Sequence, residues 1–432
     1  MKSTILTAIV CTTSLCSGAL ASNPNPDWDA DWEKNEERFL SDYVQLTSEL
    51  DFLKAGESYF SLDGTHVIFQ GIPVPKEGEE PNPYYSMYIA QFEFDADKII
   101  TGLTLVSAIS EPGSSNTCGW FHPTKHNTIL FSSTRIPPAT EDVTGYQRGG
   151  SSYSWKFPTE MEILAGTFEL TMKDTDEGPE GISIEDFTYA MASADPIWKR
   201  DGYDAEGSWS PDGRYILYTK LEPGGANGDI WLYDSKSGEH TALITADGYD
   251  GGPFFSPDMK AICYRSDRRN DQLLQIYTAY LKYDDEGNII GIKQEVAITD
   301  NEHVNWAPFY TVDGRYLLYS TSEQGHGNYE VYAVDASGDY SPEETPRLRV
   351  TQARGFDGLP AFSRDGKWMI WTAQRGAYVE GQDRPSSQLW AAKLDLRALH
   401  WAYVAAREEL LGENMDTEPI KRSDPHAGHD HP

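Results

Sequence analysis

The sequence predicts an all-β protein: a six-bladed β-propeller of four-stranded blades, followed by a short C-terminal helix and a disordered tail. Two observations predict this fold. One phrase, which ends in an Asp-Gly turn or a variant of it, recurs six times along the 432 residues. Short runs rich in β-branched and aromatic residues follow each copy. Units of four short strands that repeat every ~40 to 50 residues are the sequence signature of propeller blades.

The repeated phrase is clearest in three segments, where an aromatic residue and an aspartate precede a Ser-Pro-Asp or Ser-Arg-Asp turn: 202–213, 248–258 and 355–366. Three further copies are more diverged, and the last of them is degenerate: 303–314, 55–64 and 116–124. Because Asp-Gly between apolar runs is a hairpin signal, each copy predicts the place where the innermost strand of a blade turns into the second strand.

The runs after each turn predict the remaining strands of every unit. The second strands are expected at 66–69, 128–131, 215–218, 261–264, 316–319 and 368–371. The third strands are expected at 86–89, 229–233, 275–278, 330–333 and 388–391. Two fourth strands are clear from the sequence, at 241–245 and 347–351. The run 43–47 is interpreted as the fourth strand of the C-terminal unit, which closes the ring and removes its sheet edges.

The chain divides into five predicted parts. Residues 1–21 are a signal peptide, with Lys2 before an apolar run and a small-x-small cleavage site at its end. Then follow an N-terminal linker (22–40), the propeller (41–396), a helix (397–411) with apolar residues at helical spacing, and a His-containing disordered tail (412–432). The signal predicts an exported protein, either periplasmic or extracellular. Incidental metal binding by the tail histidines is expected to be weak.

Composition and cysteine content narrow the partners. Lys and Arg total 35 against 68 Asp and Glu, so the net charge of −33 repels nucleic acid and anionic membrane surfaces. Outside the signal no apolar run is long enough to span a membrane. The two cysteines beyond the signal, Cys118 and Cys263, are predicted in blades two and four and favour isolated thiols over a disulfide. A monomer with a protein, peptide or glycan partner is expected.

The Ser-Pro-Asp-Gly turn after an aromatic residue, with an aspartate in the incoming loop, resembles the WD40-like (PD40) repeats of TolB-type six-bladed β-propellers. The resemblance covers residues 40 to 396. The phrases at 202–213, 248–258 and 355–366 look most like those of propellers that are fused to exported zinc aminopeptidase-like domains, here without the peptidase domain. The resemblance implies an exported propeller.

A candidate site follows from the alignment of the repeats. One equivalent position, where the chain enters each innermost strand, holds Ala55, Asn116, Asp204, Asp250, Asn305 and Asp357. Oxygen ligands around an axis suit Ca²⁺, so a calcium site with Asp204, Asp250 and Asp357 is one hypothesis. The other is that these side chains satisfy backbone N–H groups at the strand entries. Two residues further on, Glu57 and Glu206 share a second equivalent position, with Cys118 between them.

The interval between the second and third repeats is much longer than the others. It contains aromatic and basic residues that include Tyr146, Arg148 and Trp155. Long loops in compact folds are often functional. The side chains of this interval are expected to form an aromatic-rimmed pocket together with His122, His326 and Arg375. A mobile surface loop is an equal alternative, because residues 149–152 are rich in Gly and Ser.

The sequence contains no serine-hydrolase elbow, zinc-peptidase motif, dinucleotide fingerprint or phosphate loop. The leading hypothesis is therefore a non-catalytic propeller that binds its ligand at the mouth of the central channel. The predicted ligand-binding residues there are Asn116, His122, Asp204, Glu206, Asp250, Asn305, Asp357, Tyr146, Arg148 and Trp155. The alternatives are a metal-assisted hydrolase or lyase with its site on the axis, and an accessory propeller to a separate peptidase.

Overall fold

The computed structural model describes residues 31–139, 158–173, 186–225, 227–378 and 384–412, together with the backbone of 147–149 and 152–154. The predicted signal peptide and nearly all of the predicted tail lie outside these residues. The chain begins with a short helix, α1 (Trp32–Glu36), which the sequence did not reveal, and continues into strand β1 (Leu40–Gln45).

Six four-stranded antiparallel sheets follow, which confirms the predicted propeller. Blade one consists of β2 (Phe52–Phe60), β3 (His66–Pro73), β4 (Ser86–Phe94) and β5 (Ile100–Ala108). Blade two consists of β6 (Asn116–Phe121), β7 (Thr128–Ser133), β10 (Glu162–Met172) and β11 (Phe187–Pro196), and β8 (Gln147–Gly149) and β9 (Ser152–Ser154) form a separate hairpin between its second and third strands. Blade three consists of β12 (Tyr203–Trp209), β13 (Tyr215–Leu221), β14 (Gly228–Asp234) and β15 (His240–Ile244).

The second half of the ring repeats this order. Blade four consists of β16 (Asp250–Phe255), β17 (Ala261–Ser266), β18 (Gln275–Tyr283) and β19 (Ile289–Ala297). Blade five consists of β20 (Asn305–Tyr310), β21 (Tyr316–Thr321), β22 (Glu330–Asp335) and β23 (Leu348–Arg349). Blade six consists of β24 (Asp357–Phe362), β25 (Trp368–Ala373), β26 (Gln388–Leu394) and the N-terminal strand β1.

The first strands of the blades surround the central axis. Each contacts the first strand of the next blade, and the contact of β2 with β24 completes the circle. The second strands are buried along most of their length because neighbouring blades cover both faces; β17, β21 and β25 are buried throughout. Burial of these apolar strands between the sheets is the main stabilising contribution.

The repeated turn phrase has a local physical cause. In five blades the hydroxyl of a Ser or Thr donates to the carboxylate of an Asp two residues later, over 2.5 to 2.8 Å. The carboxylate accepts the backbone N–H two residues further on, and the hydroxyl accepts the N–H that opens the second strand. These bonds fix the hairpin between the first two strands of a blade.

The ring is closed by the two ends of the propeller. Strand β1 pairs antiparallel with β26, with Leu40 opposite Leu394, so the predicted closing strand is confirmed with a slightly earlier start. Helix α1 adds a second connection. The carboxylate of Glu36 accepts two hydrogen bonds, of 2.7 and 2.8 Å, from the guanidinium of Arg375 in blade six, and Arg375 also pairs with Asp357 at 2.8 Å. Arg375 is buried in this network and does not reach the predicted pocket.

The C-terminal helix, α2 (Leu396–Leu411), begins where the Asp395 carboxylate accepts two backbone N–H groups and ends at Gly412, which has a φ of 64°. Its apolar face, including Leu399 and Tyr403, packs on residues of blades five and six. Cys118 lies in the innermost strand of blade two and Cys263 in the second strand of blade four, both as free thiols. Among the described helices, none is long and apolar enough to cross a bilayer.

Candidate ligand-binding cavity

Every innermost strand carries a β-bulge at the same place. The register with the second strand shifts there in all six blades. One residue of each bulge has a left-handed backbone, with φ between 44° and 59°. Bulges redirect side chains, and here they direct this residue of each blade toward the axis. These six residues, which we call the bulge ring, are Glu57, Cys118, Glu206, Gly252, Ala307 and Leu359, and all six line one cavity.

The cavity has a volume of about 450 Å³ and occupies the mouth of the channel. Its floor is closed by a cluster of four aromatic side chains, two residues beyond the bulge ring on the innermost strands, of which Tyr59 and Phe254 line the cavity itself. Tyr59, Trp120, Phe254 and Phe309 come from blades one, two, four and five, and every pair of their ring centroids lies 4.7 to 6.0 Å apart. Because side chains from opposite blades meet on the axis, the channel is blocked below the bulge ring and the cavity is blind.

One side of the bulge ring holds an ion pair. Arg265 Nη2 of β17 donates to Glu206 Oε1 over 2.5 Å, and both residues are nearly fully buried. The same carboxylate accepts hydrogen bonds from Tyr249 and Thr219 at 2.7 Å and from the backbone N–H of Gly252 at 2.6 Å. Glu206 is therefore fixed in position by three neutral donors and one cation.

Gly252 is the bulge-ring residue that makes room for this ion pair. A Cβ at this position would lie 2.0 Å from Arg265 Nη1, and the φ of 59° also favours glycine. The guanidinium of Arg265 thus lies where the other blades place a bulge-ring side chain. Arg265 was not predictable from the sequence because its partner belongs to the preceding blade.

Glu57 has a different environment. Its carboxylate accepts from the hydroxyls of Tyr59 and Thr117, each at 3.3 Å, and from the thiol of Cys118. Burial raises the pKa of Glu57, and the nearby charge of Glu206 raises it further. Among the ion pairs of the described residues, none involves Glu57, and Arg265, the cation that acts on it, is paired with Glu206.

Cys118 is a hydrogen-bond donor in this ring. Burial raises the pKa of its thiol well above the ordinary value, and the charges of Glu57 and Glu206 act in the same direction. The nucleophilic form of cysteine is the thiolate, which forms when nearby positive charge lowers the thiol pKa. At neutral pH the Cys118 thiol therefore stays protonated, and the site lacks the features of a cysteine nucleophile.

Above the bulge ring the walls become aromatic and the rim becomes cationic. Tyr203, Trp306 and Phe356 line the walls. Lys54 and Arg384 line the entrance, Lys54 with an exposed side chain that lies 4.6 Å above the ring of Tyr85. His326, which the sequence analysis grouped with the pocket, also lines the cavity.

Apart from His122, the predicted ligand-binding residues fall into three groups. Asn116 and Glu206 line the cavity. The other strand-entry residues, Asp204, Asp250, Asn305 and Asp357, lie two residues before the bulge ring and do not line it. Tyr146 and Trp155 lie outside the described residues, and Arg148 lies in β8, where only the backbone is described.

The aspartates proposed as calcium ligands are held apart by separate ion pairs. Asp204 pairs with Arg200 at 2.6 Å, and Asp250 pairs with Arg268 at 3.1 Å. Asp357 is engaged with Arg375. In the part of the chain that the structure describes, no group of three His, Cys, Asp or Glu side chains is close enough to hold one metal ion. The predicted three-aspartate calcium site is therefore not assembled, because each carboxylate has its own cationic partner.

The two asparagines at the strand entries connect neighbouring blades. Asn116 donates to the backbone carbonyl of Tyr85 in the preceding blade over 2.9 Å. Asn305 donates to Gln275 Oε1, also in the preceding blade, over 3.0 Å. Their acceptors are a carbonyl and a side-chain amide oxygen. A bond of the kind that the alternative describes is made by Asp250, whose Oδ2 accepts the backbone N–H of Ala246 over 3.2 Å.

His122 lies at the opposite end of β6 from the cavity, which corrects its predicted place at the channel mouth. It occupies the position of the Ser or Thr in the turn phrase, and its Nδ1 accepts the backbone N–H of Thr124 over 3.2 Å. Its ring packs against Trp209 of blade three, with centroids 4.6 Å apart, and is 3% exposed. A buried ring in the hairpin turn explains why the repeat is degenerate in blade two.

The position of His122 predicts a pH effect on stability. Burial lowers the pKa of His122 from 6.5 to about 4. A histidine with a depressed folded-state pKa contributes stability above pH 6.5 that is lost as the pH falls toward 4. His122→Ser returns the hydroxyl of the turn phrase to this position. Between pH 6.5 and pH 4 we expect its free energy of unfolding to fall by about 1 to 3 kcal/mol less than that of the wild type. Urea unfolding at pH 7 and pH 4 measures the difference; equal losses would contradict the assignment.

Comparisons with known proteins agree with this architecture. No protein-family model matches the chain. The uncharacterized peptidase YuxL of Bacillus subtilis is 21% identical over 44% of this chain and 31% of its own length. The Tol-Pal system protein TolB of Wolinella succinogenes is 25% identical over 42% of this chain and 39% of its own length. The chain thus spans well under half of either relative.

Solved structures show the same general likeness. The crystal structure of TolB from Acinetobacter baumannii has 16% sequence identity, covers 77% of this chain and 64% of that chain, and gives a TM-score of 0.41. The fold rests on the six sheets themselves. The chain is a six-bladed β-propeller whose sequence is similar to TolB over part of its length.

Proposed function

We propose that this chain is an exported, non-catalytic binding protein that takes part of a protein, peptide or glycan ligand into the cavity at the channel mouth. The observation that carries the proposal is the blind cavity of about 450 Å³, with an aromatic floor, a polar bulge ring and a cationic rim. Binding sites are commonly concave, largely apolar and equipped with a few fixed polar groups. The protein or peptide class is favoured by the similarity to TolB of the Tol-Pal system.

The environments of the candidate catalytic residues favour a binding function over a catalytic one. Asp204, Asp250 and Asp357 are engaged in separate ion pairs outside the cavity. Glu206 is held by Arg265 and three further donors, which suits a fixed recognition group. The Cys118 thiol is protonated at neutral pH. Export, to the periplasm or beyond, is proposed from the signal-like residues 1–21.

A cavity-filling variant tests the proposal. Leu359→Trp adds a bulky ring to a bulge-ring position that already holds a side chain, so the backbone need not change. The matched control is Leu410→Trp on α2, where the side chain is 50% exposed. The experiment captures partners by cross-linking from the exported fraction of the native host. We expect Leu359→Trp to capture about tenfold less partner, or lower still, than the wild type and the control do. Equal capture by all three proteins would show that the cavity is not the binding site.

A further inference from the structure

We infer that the cavity recognises a cationic nitrogen, the ammonium or guanidinium of a basic side chain in a peptide ligand, and that Glu57 is its counter-ion. The inference rests on the proposed function and specifies the ligand class of the same site. Its starting point is the unequal treatment of the two bulge-ring carboxylates. Glu206 has an arginine partner, whereas Glu57 has only the neutral donors Tyr59, Thr117 and Cys118.

The charges of the inner cavity favour a cation. Glu57 and Glu206 lie in the bulge ring, and Arg265 is the basic residue that enters it from β17. Arg265 is bound to Glu206, so one carboxylate of the pair remains uncompensated when Glu57 is ionised. A buried carboxylate is stable as an ion only when it gains a partner charge and hydrogen bonds. A ligand cation at Glu57 supplies both.

The walls match the rest of a basic side chain. Tyr59 and Phe254 present aromatic surface below the carboxylates and Tyr203 above them, and cations are attracted to aromatic faces. Two further bulge-ring residues are apolar: Leu359 of blade six, which is next to the blade of Glu57, and Ala307 of blade five. The long methylene stems of Lys and Arg pack well on such surface while their charged ends reach a polar group.

The rim explains why the cation belongs to a peptide. Lys54 and Arg384 line the entrance, and His326 lines the same cavity. These groups repel a free cation that stays at the entrance but attract the carbonyl oxygens or acidic groups of a backbone that carries it. The charge therefore changes from cationic at the rim to anionic at the depth of Glu57. A basic side chain on a peptide backbone fits that order.

The test uses two probes that differ by the ammonium group. Nα-acetyl-L-lysine amide carries the ammonium, and Nα-acetyl-L-norleucine amide keeps the four-carbon stem without the charge. By calorimetry on the full mature protein we expect the lysine probe to bind at least about tenfold more tightly. Glu57→Gln should abolish the preference, while Glu93→Gln, an exposed carboxylate on β4, should retain it.

A second readout separates charge recognition from general damage. Because burial raises the pKa of Glu57, the lysine probe should bind the wild type more tightly as the pH rises and Glu57 ionises. Any pH dependence that persists in Glu57→Gln belongs to groups other than Glu57. A melting curve shows whether Glu57→Gln is folded; since the variant lacks a carboxyl with a raised pKa, its stability relative to wild type should increase with pH.

Each outcome is decisive. Tighter binding of lysine that depends on Glu57 supports the inference. Equal affinity for both probes, or a lysine preference that Glu57→Gln leaves intact, overturns it; if Leu359→Trp still blocks the norleucine probe, the proposed binding cavity stands. Absence of binding by the lysine probe at millimolar concentration also overturns the cation assignment, while the capture experiment with Leu359→Trp tests the cavity separately.

Discussion

Replacing Arg375 with methionine is expected to destabilise the protein by about 3 to 5 kcal/mol. The Arg375 side chain is fully buried between Glu36 of the N-terminal helix and Asp357 of blade six. Its guanidinium also lies 4.4 Å above the ring of Trp32. Removal of the cation leaves two buried carboxylates with neutral hydrogen-bond donors only, from Tyr43, Gln352 and Trp371, and loosens the N-terminal segment that closes the ring. Urea unfolding measures the loss.

The control for Arg375→Met is Lys367→Ala. Lys367 pairs with Asp365 at 3.0 Å, but its side chain is 72% exposed. Exposed ion pairs contribute about 0 to 1 kcal/mol, so this variant should unfold almost like the wild type. If Arg375→Met were no more destabilising than Lys367→Ala, the buried network would not be the connection that closes the propeller.

Glu206→Ala alone is expected to lower the free energy of unfolding by about 3 to 5 kcal/mol, because it leaves the buried guanidinium of Arg265 without its hydrogen-bonded counter-ion. Tyr249 and the Gly252 N–H lose their acceptor as well. The double variant Glu206→Ala with Arg265→Met should lose less stability than the two single variants lose together. The difference, which is the coupling energy, is expected to be about 2 kcal/mol or more.

A surface cycle provides the comparison for this coupling. Arg269 and Asp300 lie 2.6 Å apart, with side chains 26% and 55% exposed. Their coupling is expected to be about 0.2 to 1 kcal/mol. Additive behaviour of Glu206 and Arg265, like that of an exposed pair, would mean that the ion pair does not hold the bulge ring together.

The fold was predictable because its signals are local. The Ser-Pro-Asp-Gly phrase specifies a hairpin through bonds among residues at most five positions apart, and the strand after it follows directly in the sequence. Six copies in register then determine the number of blades. The closing strand β1 was recognisable for the same reason, since a six-unit ring lacks one outer strand.

The site was only partly predictable because its contacts join distant blades. The equivalence of Glu57, Cys118 and Glu206 is visible in the aligned repeats, and these residues do line the cavity. Arg265 enters the ring only because Gly252 lacks a side chain, a relation that no spacing shows.

The ion pairs of the strand-entry aspartates were not predictable for a related reason. The arginines that pair with them, such as Arg200 and Arg268, lie outside the phrase. Glu36 was placed in a linker because nothing local marks an acidic residue that pairs with a blade far along the chain.

The most direct test of the central claim is a crystal structure of the protein with Nα-acetyl-L-lysine amide. The cavity account predicts the probe inside the bulge ring, its ammonium within hydrogen-bond distance of Glu57 and its backbone toward Lys54 and Arg384. A saturating probe that lies elsewhere on the propeller, with the cavity occupied by water, would contradict it.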